Sequence, residues 1–186
     1  MRTILMILWS LITVSTSETS YISKPFDCSM YYRNKYASDY NKVKKDYVNF
    51  KKLLFKTEST CNYNIVHSSG AMGGYGFTSQ TLRSLGIFLT PDSFRLFPYL
   101  FPMELQEVLL DRLIKRNYSI LYTIIKDNKG KVLNDSIMVT ECGILAAAHL
   151  AGPGGVIEFF KNGTNPQDSN GTSILTYLKL FENTRL

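Results

Sequence analysis

The chain is short of the residues that staple or metallate a small protein. Its 186 residues include three cysteines, two histidines and one tryptophan. Three cysteines are too few to build a disulfide-stapled fold. With only His67 and His149, and no Cys-x-x-Cys pair, no segment has the spacing of a metal site, so neither a metal nor a cofactor is expected. The 12 glycines follow no triplet period, which excludes collagen. Charged residues make up 19% and aromatics 13%, a balance that excludes a disordered chain. What is left is one ordinary domain, large enough for a real core and too small for two.

Acidic residues are scarce at the start. Residues 1–56 hold 10 Lys/Arg against 4 Asp/Glu, whereas residues 57–186 hold 11 of each, so the whole net charge of +6 lies in the first third. Arg2 precedes an uncharged apolar run at residues 4–14, and Ser15, Thr16 and Ser17 follow it. A positive start, an apolar stretch and a small-residue exit describe a secretory signal peptide over residues 1–17. The run falls short of the ~20 apolar residues of a membrane span. The expectation is a secreted or periplasmic protein with no stable span after cleavage; an uncleaved anchor is the alternative. Export permits one disulfide among Cys28, Cys61 and Cys142, and leaves one spare thiol. Asn-x-Ser/Thr occurs at Asn117, Asn134, Asn162 and Asn170, which matters only in a eukaryotic secretory pathway.

Residues 18–40 form a Tyr-rich extension, and the folded domain is expected over residues 41–186. From residue 41 the pattern is helical: Val43, Tyr47, Phe50 and Leu54 share one face, and Lys42, Lys44, Lys45, Lys51 and Lys52 are assigned mostly to the solvated other face. This helix ends near Thr57 or Glu58. Four glycines follow within residues 70–76, a density that marks sharp turns or close approach. A short helix is expected over residues 78–85, with Gly86 ending it. Pro91, Pro98 and Pro102 suggest an extended connection over residues 90–103. A long helix is expected over residues 104–122, its stripe formed by Leu105, Leu109, Leu113 and Tyr118, and then a turn at residues 128–131. An Ala-rich helix over residues 140–149 is broken at residues 152–155, and short helices follow at residues 156–161 and 173–181. Strand signals are nearly absent, so the fold class is all-α.

Glu58 is the leading candidate for chemistry. It ends an amphipathic helix and faces the glycine-rich segment, where the negative end of the helix dipole disfavours the ionised form. A carboxylic acid held protonated is what a glycosidase uses on its leaving oxygen. Glu58-Ser59, then Tyr63, Val66, Ser68, Gly70-Ala71-Met72-Gly73, Tyr75 and Phe77, resemble the signature of the lysozyme-like lytic transglycosylases, in particular their phage-type branch. Residues 147–156, with Ala147, Ala148, His149 and Gly152-Pro153-Gly154, resemble that family's Ala-Ala-Tyr-Asn-Ala-Gly-Pro-Gly segment. Gly171-Thr172-Ser173 through Tyr177 is similar to its C-terminal helix. The resemblance spans about residues 50–181, in order.

The resemblance implies a lysozyme-like (goose-type) helical domain that cleaves the β-1,4 bond from N-acetylmuramic acid to N-acetylglucosamine in peptidoglycan. It implies Glu58 as the single catalytic carboxyl, with Ser59 orienting Glu58 or the substrate. It further implies Gly70 and Gly73 as close-approach positions, Met72 and Tyr75 as cleft lining, and His149 and Tyr177 on the opposite wall. Where the family has Gln, this chain has Gly76, and Gln80 is the nearby amide that could serve instead.

Each residue also has a plainer reading. The glycines could be turn chemistry, His149 a packed core histidine and Tyr177 simple core. Asp92, Glu104 and Glu141 read as surface or capping groups. One of them facing Glu58 at roughly 6.5–9.5 Å would instead suit an inverting hydrolase. A hydrolytic lysozyme of the same fold, or a catalytically silent peptidoglycan-binding protein, is therefore the alternative to a monomeric transglycosylase. The Lys-rich helix lacks a nucleic-acid module, so no such partner is expected.

Overall fold

The computed structural model describes residues 42–167 and 171–184. The expected signal peptide, the Tyr-rich extension, Cys28 and Asn170 lie outside them. The expected first helix forms as α1 (Lys42–Ser59). Phe50 and Leu54 are buried as their spacing requires, but the buried face is broader than one stripe. Val48, Lys51 and Phe55 are buried too, at spacings of three and four that carry on to Glu58. Lys51, assigned from sequence to the solvated side, is only 2% exposed.

Past the loop of residues 60–78, Thr78 caps α2 (Ser79–Ser84) by accepting from the Thr81 amide, and Gly86 follows in the left-handed region at φ +86°. The segment expected to be extended is instead largely helical. Thr90 accepts from the Ser93 amide and Pro91 occupies the first turn of α3 (Pro91–Leu96), where a missing N–H removes no helical bond. A 3-10 turn (Pro98–Leu100) follows. Proline density was misleading because a proline at a helix start favours the helix.

Helix α4 (Met103–Asn128) runs beyond the expected Tyr122. Leu109, Leu110, Leu113, Ile114, Leu121 and Ile125 form its buried stripe, whereas Tyr118, placed there from sequence, faces outward. The turn after Asn128 leads into a small antiparallel hairpin of β1 (Val132–Leu133) and β2 (Ile137–Met138), which pairs Leu133 with Ile137. Strands of two residues are too short to leave an alternating pattern.

Thr140 caps α5 (Glu141–Asn162) by accepting from the Gly143 amide. Among the described residues α5 alone is long and apolar enough to cross a membrane, yet residues 142–148 are buried inside the protein. Gly143 lets a neighbouring helix approach, because a Cβ there would lie 3.3 Å from the Leu178 Cα. That neighbour is α6 (Ile174–Leu180), opened by a capping box between Ser173 and Thr176. Gly152 at φ +69° kinks α5, so the two helices expected from sequence join end to end. The described chain is thus mostly helical, as expected, with one short hairpin.

An ionic cluster ties α1 to α4. Lys51 Nζ lies 2.6 Å from Glu107 Oε2 and 2.7 Å from Asp111 Oδ1. Tyr47 donates to Asp111 at 2.8 Å, Tyr63 donates to Glu107 at 2.7 Å, and Tyr75 makes a short hydrogen bond to Glu107. Burial by itself would lower the Lys51 pKa, but the charges of Glu107 and Asp111 outweigh it and hold Lys51 above its ordinary value of 10.5. Its contribution to stability is therefore present below pH 10.5 and fades as the pH rises through the higher folded value.

Cys61 is exposed and Cys142 buried, and both are free, so the pair Cys61–Cys142 does not form a disulfide. Burial raises the Cys142 thiol to about 11. Asn117 is buried within α4 and out of reach of glycosylation.

Two outcomes follow from this packing. Glu107→Ala leaves Lys51 buried beside a partial partner and should lose roughly 3–5 kcal/mol in urea unfolding, whereas Arg95→Ala, at an exposed pair, should change stability by about 0–1 kcal/mol. Iodoacetamide at mildly alkaline pH should label Cys61 in the native protein and reach Cys142 only after denaturation, as read by peptide mass mapping.

Candidate functional site

Glu58 lies half-buried in the last turn of α1, on the stripe that carries Lys51 and Phe55 inward. The chain turns away immediately after it. Thr60 and Cys61 both sit in the left-handed region, at φ +52° and +67°, and the Cys61 amide reaches back to the Phe55 carbonyl. Such backbone is costly for residues with a Cβ and ends the helix firmly. Ser59 is part of this stop. Its buried hydroxyl donates to the Phe55 carbonyl at 3.1 Å and accepts from the Asn62 amide at 3.0 Å. The role expected for Ser59, orienting Glu58 or a sugar, gives way to holding the helix end.

The loop then doubles back through three isolated-bridge partners, Val66 with Met72 and Met72 with Phe77. This folds Gly76 against the acid. A Cβ on Gly76 would lie 3.0 Å from Glu58 Oε2, and its φ of +62° itself favours glycine. From 119 residues further along the chain, α6 delivers Tyr177, whose hydroxyl donates to Glu58 Oε1 at 2.5 Å. The two carboxyl oxygens therefore have different surroundings: one is held by a phenol, the other is flanked by bare backbone.

His149 on α5 closes another side. Its Nε2 lies 2.6 Å from the Tyr75 carbonyl, so that nitrogen carries the proton, and its ring meets Phe77 edge-on at 6.2 Å. Because Tyr75 precedes Gly76, His149 braces the loop that lines Glu58.

The remaining expected site residues serve the core. Met72 and Tyr75 are fully buried, so neither side chain lines a cleft. A Cβ on Gly73 would come within 2.3 Å of Gln106 Oε1, and one on Gly74 within 2.2 Å of the Phe55 ring. These glycines admit the protein's own side chains. Gly70, at φ +83°, makes the tight turn beside Pro91. Gln80 is exposed on α2. Asp92 pairs with Arg95 and Glu141 with Lys129, while Glu104 is exposed; Glu58 makes no hydrogen bond to any of them.

Gln106 and Glu107 were missed from sequence. Gln106 Oε1 accepts from the Gly74 amide at 2.7 Å, and its Nε2 donates to the Tyr63 and Phe101 carbonyls. The available signal was a pair of polar residues placed four and three positions before Leu110, on the apolar face of α4. Next to His149, a small pocket of about 160 Å³ is lined by Leu150, Ala151, Gly155, Pro166 and Gln167. It suits a substituent rather than a whole ligand, which typically needs about 300 Å³ or more.

The glycines can be ranked by substitution. Gly76→Ala should cost about 1–2 kcal/mol from its backbone conformation alone. Gly73→Ala should cost more, since it also displaces Gln106. Gly154→Ala, which meets no atom within 4 Å, should be near neutral; urea denaturation of the three variants reads the order. Compared with family models, with curated proteins and with solved structures, the chain matches none.

Proposed function

We propose that the chain is a peptidoglycan-cleaving glycosidase of the lytic transglycosylase type, with a lysozyme-like fold and Glu58 as its catalytic acid. The observation that carries this reading is the setting of one carboxyl group. Glu58 is half-buried, fixed through Oε1 by Tyr177, and flanked at Oε2 by a residue without a side chain. Oε2 is then the oxygen left to hold a proton for the glycosidic oxygen.

The reaction needs no second carboxylate. Glu58 protonates the leaving oxygen as the bond to the anomeric carbon breaks. As carboxylate, it then accepts the proton of the sugar's own 6-hydroxyl while that oxygen attacks the anomeric carbon and closes a 1,6-anhydro ring. The proton count returns to its start, and no water is consumed. His149 acts here by bracing the Tyr75–Gly76 backbone, and Tyr177 by fixing the acid's orientation.

A second reading rests on Gly76, which stands where the resembling family has Gln: the chain binds glycan strands without cleaving them. Restoring Gln at this position is a poor test, because its Cβ would crowd Glu58 Oε2 and its backbone would be strained. A sacculus digest separates the readings. Wild type should release anhydro-muropeptides, Glu58→Gln should release none, and Tyr177→Phe should be slowed roughly tenfold through loss of the hydrogen bond that orients the acid. Products that retain the elements of water would identify a hydrolase instead. Sacculus binding with no soluble product from wild type would establish the silent binder.

A further inference from the structure

Glu107 is too deeply buried to meet a ligand, yet its contacts reach both segments that form the site around Glu58. One of them is α1. Lys51 Nζ meets Glu107 Oε2 at 2.6 Å, and Glu58 follows Lys51 by seven residues, two turns along the same helix. The other is the loop of residues 60–78. Tyr63 near its start and Tyr75 near its end both donate to Glu107 Oε1. From Tyr75 the path to the acid is short. Its carbonyl accepts the His149 Nε2 proton at 2.6 Å, and a Cβ on the next residue, Gly76, would lie 3.0 Å from Glu58 Oε2. Tyr75 is thus held at two points, its phenol by Glu107 and its carbonyl by His149, and Gly76 comes directly after it.

The carboxylate itself has little freedom. Oε1 is shared between two phenols and Oε2 is paired with a buried ammonium group, so turning the group would strand a polar partner in the interior. A hydrogen bond to a charged acceptor fixes the phenol oxygen in distance and angle, and so fixes the loop that carries it. The Tyr75 ring has other supports. Phe55, Tyr63 and Phe77 surround it, with ring centroids 5.4, 6.2 and 6.4 Å away. Those contacts remain when only the hydroxyl is removed, so Tyr75→Phe isolates the bond to Glu107 from the packing around it.

We propose that Glu107 is a positioning residue of the site: through the Tyr75 phenol it sets where the Tyr75–Gly76 backbone stands against Glu58. Its effect on turnover rests on the glycan-cleaving reading, and its effect on the loop does not. With sacculi as substrate, Tyr75→Phe should lower turnover at saturation about tenfold and leave the half-saturating amount of sacculi unchanged. Tyr47→Phe is the control, because it removes a phenol from Asp111, whose hydrogen bonds go to α1 and not to the loop. It should leave turnover unchanged. The chain has only two histidines, and nuclear magnetic resonance follows the His149 Nε2 proton without any substrate. That proton should exchange with water about tenfold faster in Tyr75→Phe than in wild type or Tyr47→Phe. Unaltered exchange overturns the proposal. So does equal loosening by Tyr47→Phe, which would mark a general loss of stability. Faster exchange with normal turnover overturns the role in the reaction. A wild type that releases no product refutes the glycan-cleaving reading alone, and the exchange rates still decide whether Glu107 sets the loop.

Discussion

A buried carboxylate is tolerated only where other groups replace its water, and Glu107 meets that condition with groups from two other parts of the chain. Lys51 reaches it from α1, Tyr63 and Tyr75 reach it from the glycine-rich loop, and Glu107 itself belongs to α4. Losing any one partner leaves charge in a low-dielectric interior, so the three segments hold each other in register. The consequence extends to the candidate site. Tyr75, tied to Glu107 by its hydroxyl, also offers its carbonyl to His149 and leads directly into Gly76 beside Glu58. Lys51 and Glu58 share a stripe of α1, so the ion pair that docks the helix also turns the acid inward.

The glycine-rich segment divides along the same lines. Dense glycine reads as room for a ligand, but most of the room here belongs to the protein. Gln106 fills the space at Gly73 and caps the Gly74 amide, while Phe55 and Tyr63 occupy the space beside Gly74. Gly76 alone borders the carboxyl group. A sequence motif of this kind is therefore two things at once: several residues that let a loop fold onto its own core, and one that shapes the neighbourhood of the acid.

Local patterns located most of the helices. Periodicity marked α1 and α4, and Gly86 marked the end of α2, because those signals act within a turn or two of backbone. The same locality explains what escaped notice. In α3 the proline that suggested an extended segment sits in the first turn, where it is compatible with a helix. The β1–β2 hairpin is too short to show alternation. Lys51 looked like a solvated lysine because its partners lie in α4, about 60 residues away, and nothing beside it in sequence announces them.

From sequence alone came the helical class, the position of Glu58 at the end of an amphipathic helix, and the glycine-rich segment at residues 70–76. Those properties depend on residues within a few positions of one another. Only the tertiary structure decided that Tyr177 hydrogen-bonds Glu58 from 119 residues away while His149 holds the Tyr75 carbonyl, and that Met72, Tyr75 and Ser59 support the site from within instead of lining it. Such outcomes depend on how separate helical faces dock, and docking is chosen by the whole set of buried contacts.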